Sequence, residues 1–301
     1  MLSFIKDFLT GITIPESYHA GLLTEAEKLN ALPEWHALYG RFLAKDYTEF
    51  AEILDAAAAL AEPMGCHKFT AHFLLCCFAA KTLKERYAAA GIDEEIYWSS
   101  MKDLRWKFDE CLDVHGIPGT FVAFWYPGFF HMTRFALGRL QYEHVRFNFE
   151  EYTCGGITIR QGDDVLNCHI PSCGPLTEES RLDSYRRAWE FYKKDFPNGV
   201  VPIVCSSWLL YPEHFDFLPA HSNILSFMRD FTILRSGVDE KFGNAWRVFG
   251  AAATKPASEW PRDTSVRRAF ADRILAGKPV GSGYGILLFD GEKIINNKRD
   301  N

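Results

Sequence analysis

The chain has 301 residues, of which 48% are apolar and 15% aromatic, so it exceeds the usual size of a single hydrophobic core. Its 33 Lys and Arg against 39 Asp and Glu give a net charge of −6, and the charges are scattered, which argues against a nucleic-acid-binding face. No window reaches the roughly 18 uncharged apolar residues of a membrane span, so no membrane partner is expected.

The first part of the chain predicts a helical domain over residues 1–130. A short amphipathic helix is expected at the N-terminus, and longer helices are expected at 34–61, 67–90 and 93–115. Gly91 and Gly116 close the last two of these helices, since glycine is the usual residue just past a helix end.

Residues 131–301 predict a second domain in which strands and helices alternate. Three successive strands are expected at 137–149, 152–160 and 165–170, then a helix at 177–194 and a strand at 200–210. The rest of the chain predicts a short helix capped by Ser222, a hairpin from 229–235 and 245–249, a helix at 264–276 and a hairpin across Asp290-Gly291.

The strand at 165–170 has two different faces. Alternation along a strand places Asn167 and His169 on one face, and Leu166, Cys168 and Ile170 on the other. The apolar face therefore predicts a contact with the core, and the polar face is a candidate wall of a cleft.

The helix at 177–194 follows this strand and has regular start signals. Thr177 is a good N-cap, and Glu178 and Glu179 occupy the first turn, where the helix dipole favours acidic residues. One face is predicted to be apolar and the other to be solvated. The apolar side comprises Leu182, Tyr185, Trp189, Tyr192 and Phe196, and the solvated side comprises Arg181, Asp183, Arg186, Arg187, Glu190, Lys193 and Lys194.

Four stretches of the second half together resemble a bacterial family of two-domain acyltransferases. They are Leu-Gly-Arg-Leu-Gln-Tyr-Glu at 137–143, His-Ile-Pro-Ser-Cys-Gly-Pro-Leu at 169–176, Cys-Ser-Ser-Trp-Leu-Leu at 205–210 and Leu-Pro-Ala-His-Ser-Asn-Ile-Leu at 218–225. That family joins a helical N-terminal acyltransferase domain to a GNAT-like C-terminal domain. The resemblance implies an α+β fold with a central, mostly antiparallel sheet in the second domain.

The resemblance also implies a reaction and a donor site. The reaction is transfer of an acyl group from acyl-coenzyme A, for example acetyl-CoA, to the nitrogen or oxygen of an unidentified small acceptor. The donor would lie where the fourth and fifth GNAT strands splay apart, with the pyrophosphate on the loop into the next helix. The implied donor-binding residues are Asn167, Ile170, Ser172, Cys173, Gly174, Leu176 and Thr177.

This sequence departs from the usual GNAT pattern at the phosphate loop. The family motif with several glycines is missing, Gly174 is the only glycine between strand and helix, and Pro175 lacks an amide hydrogen. The alternative hypothesis is therefore a non-catalytic ligand-binding or regulatory protein on the same fold.

Three residues are candidates for the chemistry. The acceptor must lose a proton as it attacks, and a histidine titrates near neutrality, so His169 is the candidate base. Glu143 on the neighbouring predicted strand could orient that imidazole or act through water. Tyr211, after the strand at 200–210, is the candidate acid for the departing thiolate.

The eight cysteines are irregularly spaced, which favours reduced thiols in a cytoplasmic protein over disulfides. Cys173 or Cys205 as a nucleophile, with His169 as base, is a third hypothesis: a cysteine hydrolase.

Two other patterns point more weakly to ligands. His67, His72 and Cys76 lack a fourth ligand at zinc spacing, so a core role is expected and no metal is predicted. The glycine alternation at 281–285 is expected to be a turn before a strand rather than a phosphate loop.

Overall fold

The computed structural model describes residues 1–44 and 49–296. The chain divides into two compact units, Met1–Ala136 and Leu137–Asn301. Within the described residues, no helix combines the length and the apolar character needed to cross a membrane.

The first unit is helical, as the sequence predicts. Helix α5 runs through its interior, with His67 as the N-cap whose Nδ1 accepts a hydrogen bond from the Phe69 amide at 3.1 Å. Its helices are α1 (Leu2–Gly11), α2 (Glu16–Asn30), α3 (Pro33–Ala44), α4 (Phe50–Ala61), α5 (Lys68–Ala89), α6 (Glu94–Met101), α7 (Asp103–His115) and α8 (Pro127–Phe130).

Two of the predicted long helices are divided. The segment predicted at 34–61 contains α3 and α4, and residues 45–48 between them lie outside the described part of the chain. The segment predicted at 93–115 contains α6 and α7, which meet at Lys102. Gly91 and Gly116 have positive φ angles of 68° and 69°, so both helix ends use glycine as expected.

The second unit alternates strands and helices. Its strands, with β1 at the boundary of the units, are β1 (Arg134–Leu137), β2 (Leu140–Arg146), β3 (Glu151–Cys154), β4 (Ile157–Arg160), β5 (Asp164–His169), β6 (Val201–Ser207), β7 (Thr232–Asp239) and β8 (Val280–Phe289). Its α-helices are α9 (Glu178–Tyr192), α10 (His214–Phe217), α11 (Asn223–Met228), α12 (Ala245–Phe249) and α13 (Ser265–Leu275).

The main sheet has six strands in the order β1-β2-β5-β6-β8-β7, and β3 and β4 form a separate hairpin. The pairs β2–β5, β6–β8 and β7–β8 are antiparallel, whereas β5 and β6 are parallel. The predicted α+β class with a mostly antiparallel central sheet is therefore confirmed. A parallel neighbour requires a crossover, and α9 supplies it between β5 and β6.

The predicted hairpin from 229–235 and 245–249 is wrong. Residues Thr232–Asp239 form β7, but they pair with β8, and Ala245–Phe249 is a helix. The predicted final hairpin is reduced to one bridge between Phe289 and Ile294. The pairing partner of β7 comes about forty residues later in the chain, which a local pattern does not indicate.

The two predicted strands nearest the domain boundary have different bounds in the structure. The segment 137–149 begins at the end of β1 and includes β2, with Gly138 and Arg139 in the turn between them. The segment 152–160 is the β3–β4 hairpin, with Gly155 and Gly156 in its turn.

The two faces of β5 differ as predicted. Leu166 and Cys168 are buried on one face. On the other, Val165 packs with Val204 and Ile286 in a cluster that the β3–β4 hairpin covers. Further along that second face come Asn167 and His169, which are half-buried.

Candidate active site

Strands β5 and β6 separate from each other partway along their length. Their parallel pairing comprises two positions, Leu166 with Ile203 and Asn167 with Val204. Both strands continue beyond that point, each still paired to its outer neighbour: His169 with Gln141 of β2, and Ser207 with Gly283 of β8. A wedge therefore opens between the two carboxyl ends and leads to the loop before α9.

The predicted base and carboxylate lie together at one wall of this wedge. His169 Nε2 is 2.7 Å from Glu143 Oε1, and Asn167 Nδ2 is 3.1 Å from the same ring nitrogen. The side chains of His169 and Glu143 are 19% and 16% exposed. The pair is thus sheltered but open enough to exchange a proton with a bound molecule.

The opposite wall carries residues that sequence reasoning missed. Continuing the ladder would bring Ser206 of β6 opposite His169, and Ser206 pairs with Tyr284 of β8. The Arg235 guanidinium lies over the Tyr284 ring at 4.7 Å. Burial raises the pKa of Tyr284, an effect partly offset by the Asn148 backbone and by the charge of Arg235. Arg235 reaches Tyr284 only because β7 pairs with β8.

The loop from residue 170 to 177 is held by an arginine that the sequence analysis did not single out. Arg139, in the β1–β2 turn, donates hydrogen bonds to the carbonyl oxygens of Pro171 (2.9 Å), Gly174 (2.8 Å) and Pro175 (3.2 Å). Burial lowers the pKa of its guanidinium, which still remains charged at neutral pH. Gly174 has a φ of 98°, a conformation that favours glycine.

Thr177 is the N-cap of α9, as predicted, and its hydroxyl oxygen accepts a hydrogen bond from the Ser180 amide at 3.3 Å. The remaining implied donor-binding residues belong to β5 or to the segment that follows it. Asn167 is on the His169 face of β5, and Ile170 follows directly after β5. Ser172, Cys173 and Leu176 belong to the loop, together with Gly174.

The prediction that Arg181 lies on the solvated face of α9 is wrong. Its side chain is fully buried, and its Nε is 2.6 Å from Oδ2 of Asp230, a residue that is only 2% exposed. It also donates to the Leu176 carbonyl at 2.8 Å and to Ser226 Oγ at 3.1 Å. Arg181 precedes Tyr185 by four residues, so helical spacing places it on the buried stripe with Tyr185.

Tyr211, the predicted acid, lies after the short 3-10 turn Trp208–Leu210 that follows β6. It is 3% exposed, and burial raises the pKa of its hydroxyl, with a further rise from the neighbouring Glu213 carboxylate. Among the described residues, no hydrogen bond joins Tyr211 to His169 or Glu143. Its catalytic role stays a prediction.

The cysteines that suggested a nucleophile occupy different environments. Cys168 and Cys205 are buried, and burial raises the pKa of Cys168 well above the ordinary thiol value. Cys173 is half-buried, and its thiol lies 3.9 Å from the Arg139 carbonyl oxygen.

The residues that suggested a metal have other partners. His72 Nε2 is 3.0 Å from the Leu54 carbonyl oxygen, His67 caps α5, and Cys76 is buried in the helix interior. Across residues 1–44 and 49–296, no group of three His, Cys, Asp or Glu side chains is arranged to hold a metal ion.

The glycine alternation at 281–285 lies within β8, not in a turn before it. A Cβ atom at Gly283 would overlap the Leu210 carbonyl oxygen, and one at Gly281 would overlap the Gly237 carbonyl oxygen. These glycines therefore allow close approach of neighbouring backbone, which explains the pattern without a phosphate ligand.

Comparison with curated protein sequences gives no match. Solved structures give clear fold matches. One is an acyltransferase in complex with decanoyl-CoA, 22% identical, with a TM-score of 0.70 over 93% of this chain and 86% of that chain. Another is an acyltransferase with CoA and 10C-teicoplanin, 19% identical, with a TM-score of 0.69 over the same shares of the two chains. A third, with decanoyl-CoA and teicoplanin, is 21% identical, with a TM-score of 0.62 over 94% and 98%.

Two family descriptions account for nearly the whole chain. Residues 3–132 match the N-acyltransferase N-terminal domain. Residues 135–287, more than half of the chain, match the GNAT-like C-terminal domain. The resemblance found in the sequence is confirmed, and the chain belongs to the family that joins an N-acyltransferase N-terminal domain to a GNAT-like C-terminal domain.

Proposed function

We propose that this protein transfers an acyl group from an acyl-CoA thioester to the nitrogen or oxygen of a small acceptor. The observation that carries the proposal is the wedge between β5 and β6, where pairing ends at Asn167 and Val204 although both strands continue. An extended amide-containing chain such as pantetheine can hydrogen-bond to strand backbone that has lost its neighbour. The family and the fold of the CoA-bound structures support the same assignment.

The residues at the wedge suit the chemistry of this transfer. The acceptor nitrogen or oxygen forms a bond to the thioester carbonyl carbon, its proton passes to a base, and the carbon–sulfur bond breaks to release CoA thiolate. His169 is the proposed base. If Nε2 carries the ring proton and donates it to Oε1 of an ionised Glu143, Nδ1 is the ring nitrogen of basic character in that tautomer.

The thiolate of CoA takes up a proton as it leaves. We propose Tyr211 as the source, since its raised pKa keeps the hydroxyl protonated at neutral pH. Solvent is the other source available to a thiolate at the mouth of the wedge.

The structures that share the fold suggest which donors and acceptors to test. Two of them hold decanoyl-CoA and two hold a teicoplanin or its 10C form. We therefore propose that acyl-CoA donors from acetyl to decanoyl be compared, with teicoplanin among the acceptors. A cytoplasmic location is also proposed, since all eight cysteines are free thiols.

Thermal unfolding with each donor tests the proposal directly. A ligand at 100 times its dissociation constant stabilises the folded state by about 2.7 kcal/mol, so acetyl-CoA, octanoyl-CoA or decanoyl-CoA should raise the melting temperature. ATP, which has phosphates but no pantetheine or thioester, is the control and should raise it less. If no thioester raises it, the proposal fails.

Release of free CoA thiol, measured with a panel of small amines and alcohols, then separates an enzyme from a binding protein. Turnover with any acceptor supports transfer. Stabilisation by a thioester without turnover across the panel would instead favour the non-catalytic ligand-binding alternative.

A further inference from the structure

We infer that Arg139 is a positioning residue of the donor site, which fixes the loop at 171–176 so that its amides face the pyrophosphate of CoA. The inference rests on the proposed function and deepens it. It also gives a physical reason why a loop with a single glycine could serve in place of a glycine-rich one.

The guanidinium holds the carbonyl edge of the loop at three points. Its Nη1, Nη2 and Nε donate to the carbonyl oxygens of Pro171, Gly174 and Pro175, at 2.9, 2.8 and 3.2 Å. Only arginine presents several donors in a rigid planar arrangement; a lysine ammonium at the same place would be a single flexible point. Three simultaneous hydrogen bonds therefore fix the conformation of the loop, which a single bond would not do.

The direction of the carbonyls sets the direction of the amides. The described chain has no cis peptide bond, and in a trans peptide the N–H points opposite to the C=O. The amides of Ser172 and Leu176 therefore point away from the Arg139 guanidinium. The third carbonyl that Arg139 binds is that of Gly174. The next residue is Pro175, which has no N–H, so this bond orients no amide.

Arg181 continues the same arrangement to the start of α9. It binds the Leu176 carbonyl at 2.8 Å, which turns the Thr177 amide outward, next to the first turn of the helix. In this inference the loop amides and the amide at the start of α9 serve the same anion, which the helix dipole also favours.

The charge of Arg139 also favours an anion on this loop. Within residues 1–44 and 49–296, its hydrogen-bond acceptors are neutral carbonyls and no carboxylate pairs with it. A partly buried cation without a counter-ion attracts a pyrophosphate and opposes the repulsion from Glu178 and Glu179. The three hydrogen bonds of the Arg139 guanidinium and its positive charge therefore both favour an anion at this loop.

The experiment compares two donors that share a thioester but differ in the pyrophosphate. Initial rates are measured with acyl-CoA and with the matching acyl-pantetheine, for the wild type, Arg139→Lys, Arg139→Met and Arg160→Met. Arg160 is the control, because it is exposed on the separate β3–β4 hairpin and pairs with Glu151 at 3.3 Å. Thermal unfolding of each variant checks that it is folded.

We expect Arg139→Met to raise the KM for acyl-CoA about ten- to a hundredfold, the loss typical of hydrogen bonds that involve a charged group. The kcat and the KM for acyl-pantetheine should change less than about threefold. Arg139→Lys keeps the positive charge but loses the planar set of donors, so it should still raise the KM for acyl-CoA. Arg160→Met should match the wild type.

Other outcomes overturn the inference. An equal loss with both donors would mean that Arg139 supports the whole domain rather than the pyrophosphate loop. A wild-type KM in Arg139→Lys would mean that the three-point geometry is not used. If Arg139→Met does not fold, the lysine variant alone decides between these results. A wild type that neither binds nor uses any acyl-CoA would remove the proposed function itself, and this inference with it.

Discussion

Glu143 Oε1 lies 2.7 Å from His169 Nε2, although the two residues are not direct partners in the β2–β5 ladder. Glu143 pairs with Asn167, and His169 pairs with Gln141, so the contact is a diagonal one across the antiparallel pair. The diagonal places a carboxylate against one ring nitrogen of His169.

His169→Ala should lower kcat for acyl transfer about a hundred- to a thousandfold, the usual contribution of a positioned base. Stabilisation by acyl-CoA in thermal unfolding should be unchanged, since the backbone of β5 is kept. Initial rates and melting temperatures of the same preparations check both statements.

His144→Ala is the matched control for that variant. His144 lies next to Glu143 on β2, but it points to the other face, where its Nε2 is 3.1 Å from Asp195. It should keep nearly normal turnover. If His169→Ala also keeps normal turnover, His169 is not the base.

Local signals were sufficient to predict much of the second unit. Thr177 and Ser222 cap the helices that follow them, as predicted, and Thr264 caps the helix predicted at 264–276. The pairing of β7 with β8 is a contact between distant segments, and no local pattern distinguishes it from a hairpin.

The candidate site was predicted only in part, because some of its residues also meet through contacts between distant segments. His169 and Glu143 follow from strand alternation and the family resemblance. Arg139 could not be found in that way, because an arginine in a turn is usually exposed, and only the folded loop reveals its three carbonyl acceptors. Arg181 was assigned by its charge, whereas its spacing from Tyr185 indicated burial.

Arg181→Met should destabilise the fold by about 3–5 kcal/mol, because it leaves the buried Asp230 carboxylate without its cation. Tyr185 also donates to this carboxylate, at 3.1 Å, and would not replace the charge. Urea denaturation measures the effect as a lower midpoint.

Arg187→Met on the same helix is the comparison for the buried pair. Its ion pair with Asp183, at 2.8 Å, is exposed and should contribute less than about 0.5 kcal/mol. Similar losses in the two variants would show that burial is not what makes the Arg181 pair important.

His214 should make the protein less stable in acid. Both ring nitrogens are buried without a hydrogen bond of normal geometry in the described part of the chain, and the rings of Trp208, Tyr211, Phe217 and Phe270 surround it. Burial lowers its pKa from the ordinary 6.5 to about 4, with a smaller opposing effect of the Leu209 backbone and a further lowering by Arg273. The folded state therefore holds a neutral imidazole where the unfolded chain holds a charged one.

The sign of the pH dependence follows from this difference. Between pH 6.5 and about 4 the unfolded state binds the proton and the folded state does not, so the free energy of unfolding falls as the pH falls. The loss approaches about 3 kcal/mol. His214→Phe should flatten the slope, because phenylalanine has no group that takes up a proton.

Urea denaturation at pH 4.5 and 7.5 tests this, with His115→Phe as the comparison. His115 is exposed, so its replacement should leave the acid slope as in the wild type. An unchanged slope in His214→Phe would assign the acid sensitivity to other groups.

Gly283 lies where β8 passes the 3-10 turn Trp208–Leu210, and a side chain there would meet the Leu210 carbonyl oxygen. Backbone cannot move aside as a flexible side chain can, so Gly283→Ala should destabilise the fold by about 3 kcal/mol, as overpacking does. It should also displace the turn that leads to Tyr211. Gly237, on the neighbouring strand β7, has no atom within 4 Å of its added Cβ, so Gly237→Ala should be nearly neutral. Equal unfolding midpoints for the two variants would mean that this close approach of backbone to backbone does not limit the packing of β8.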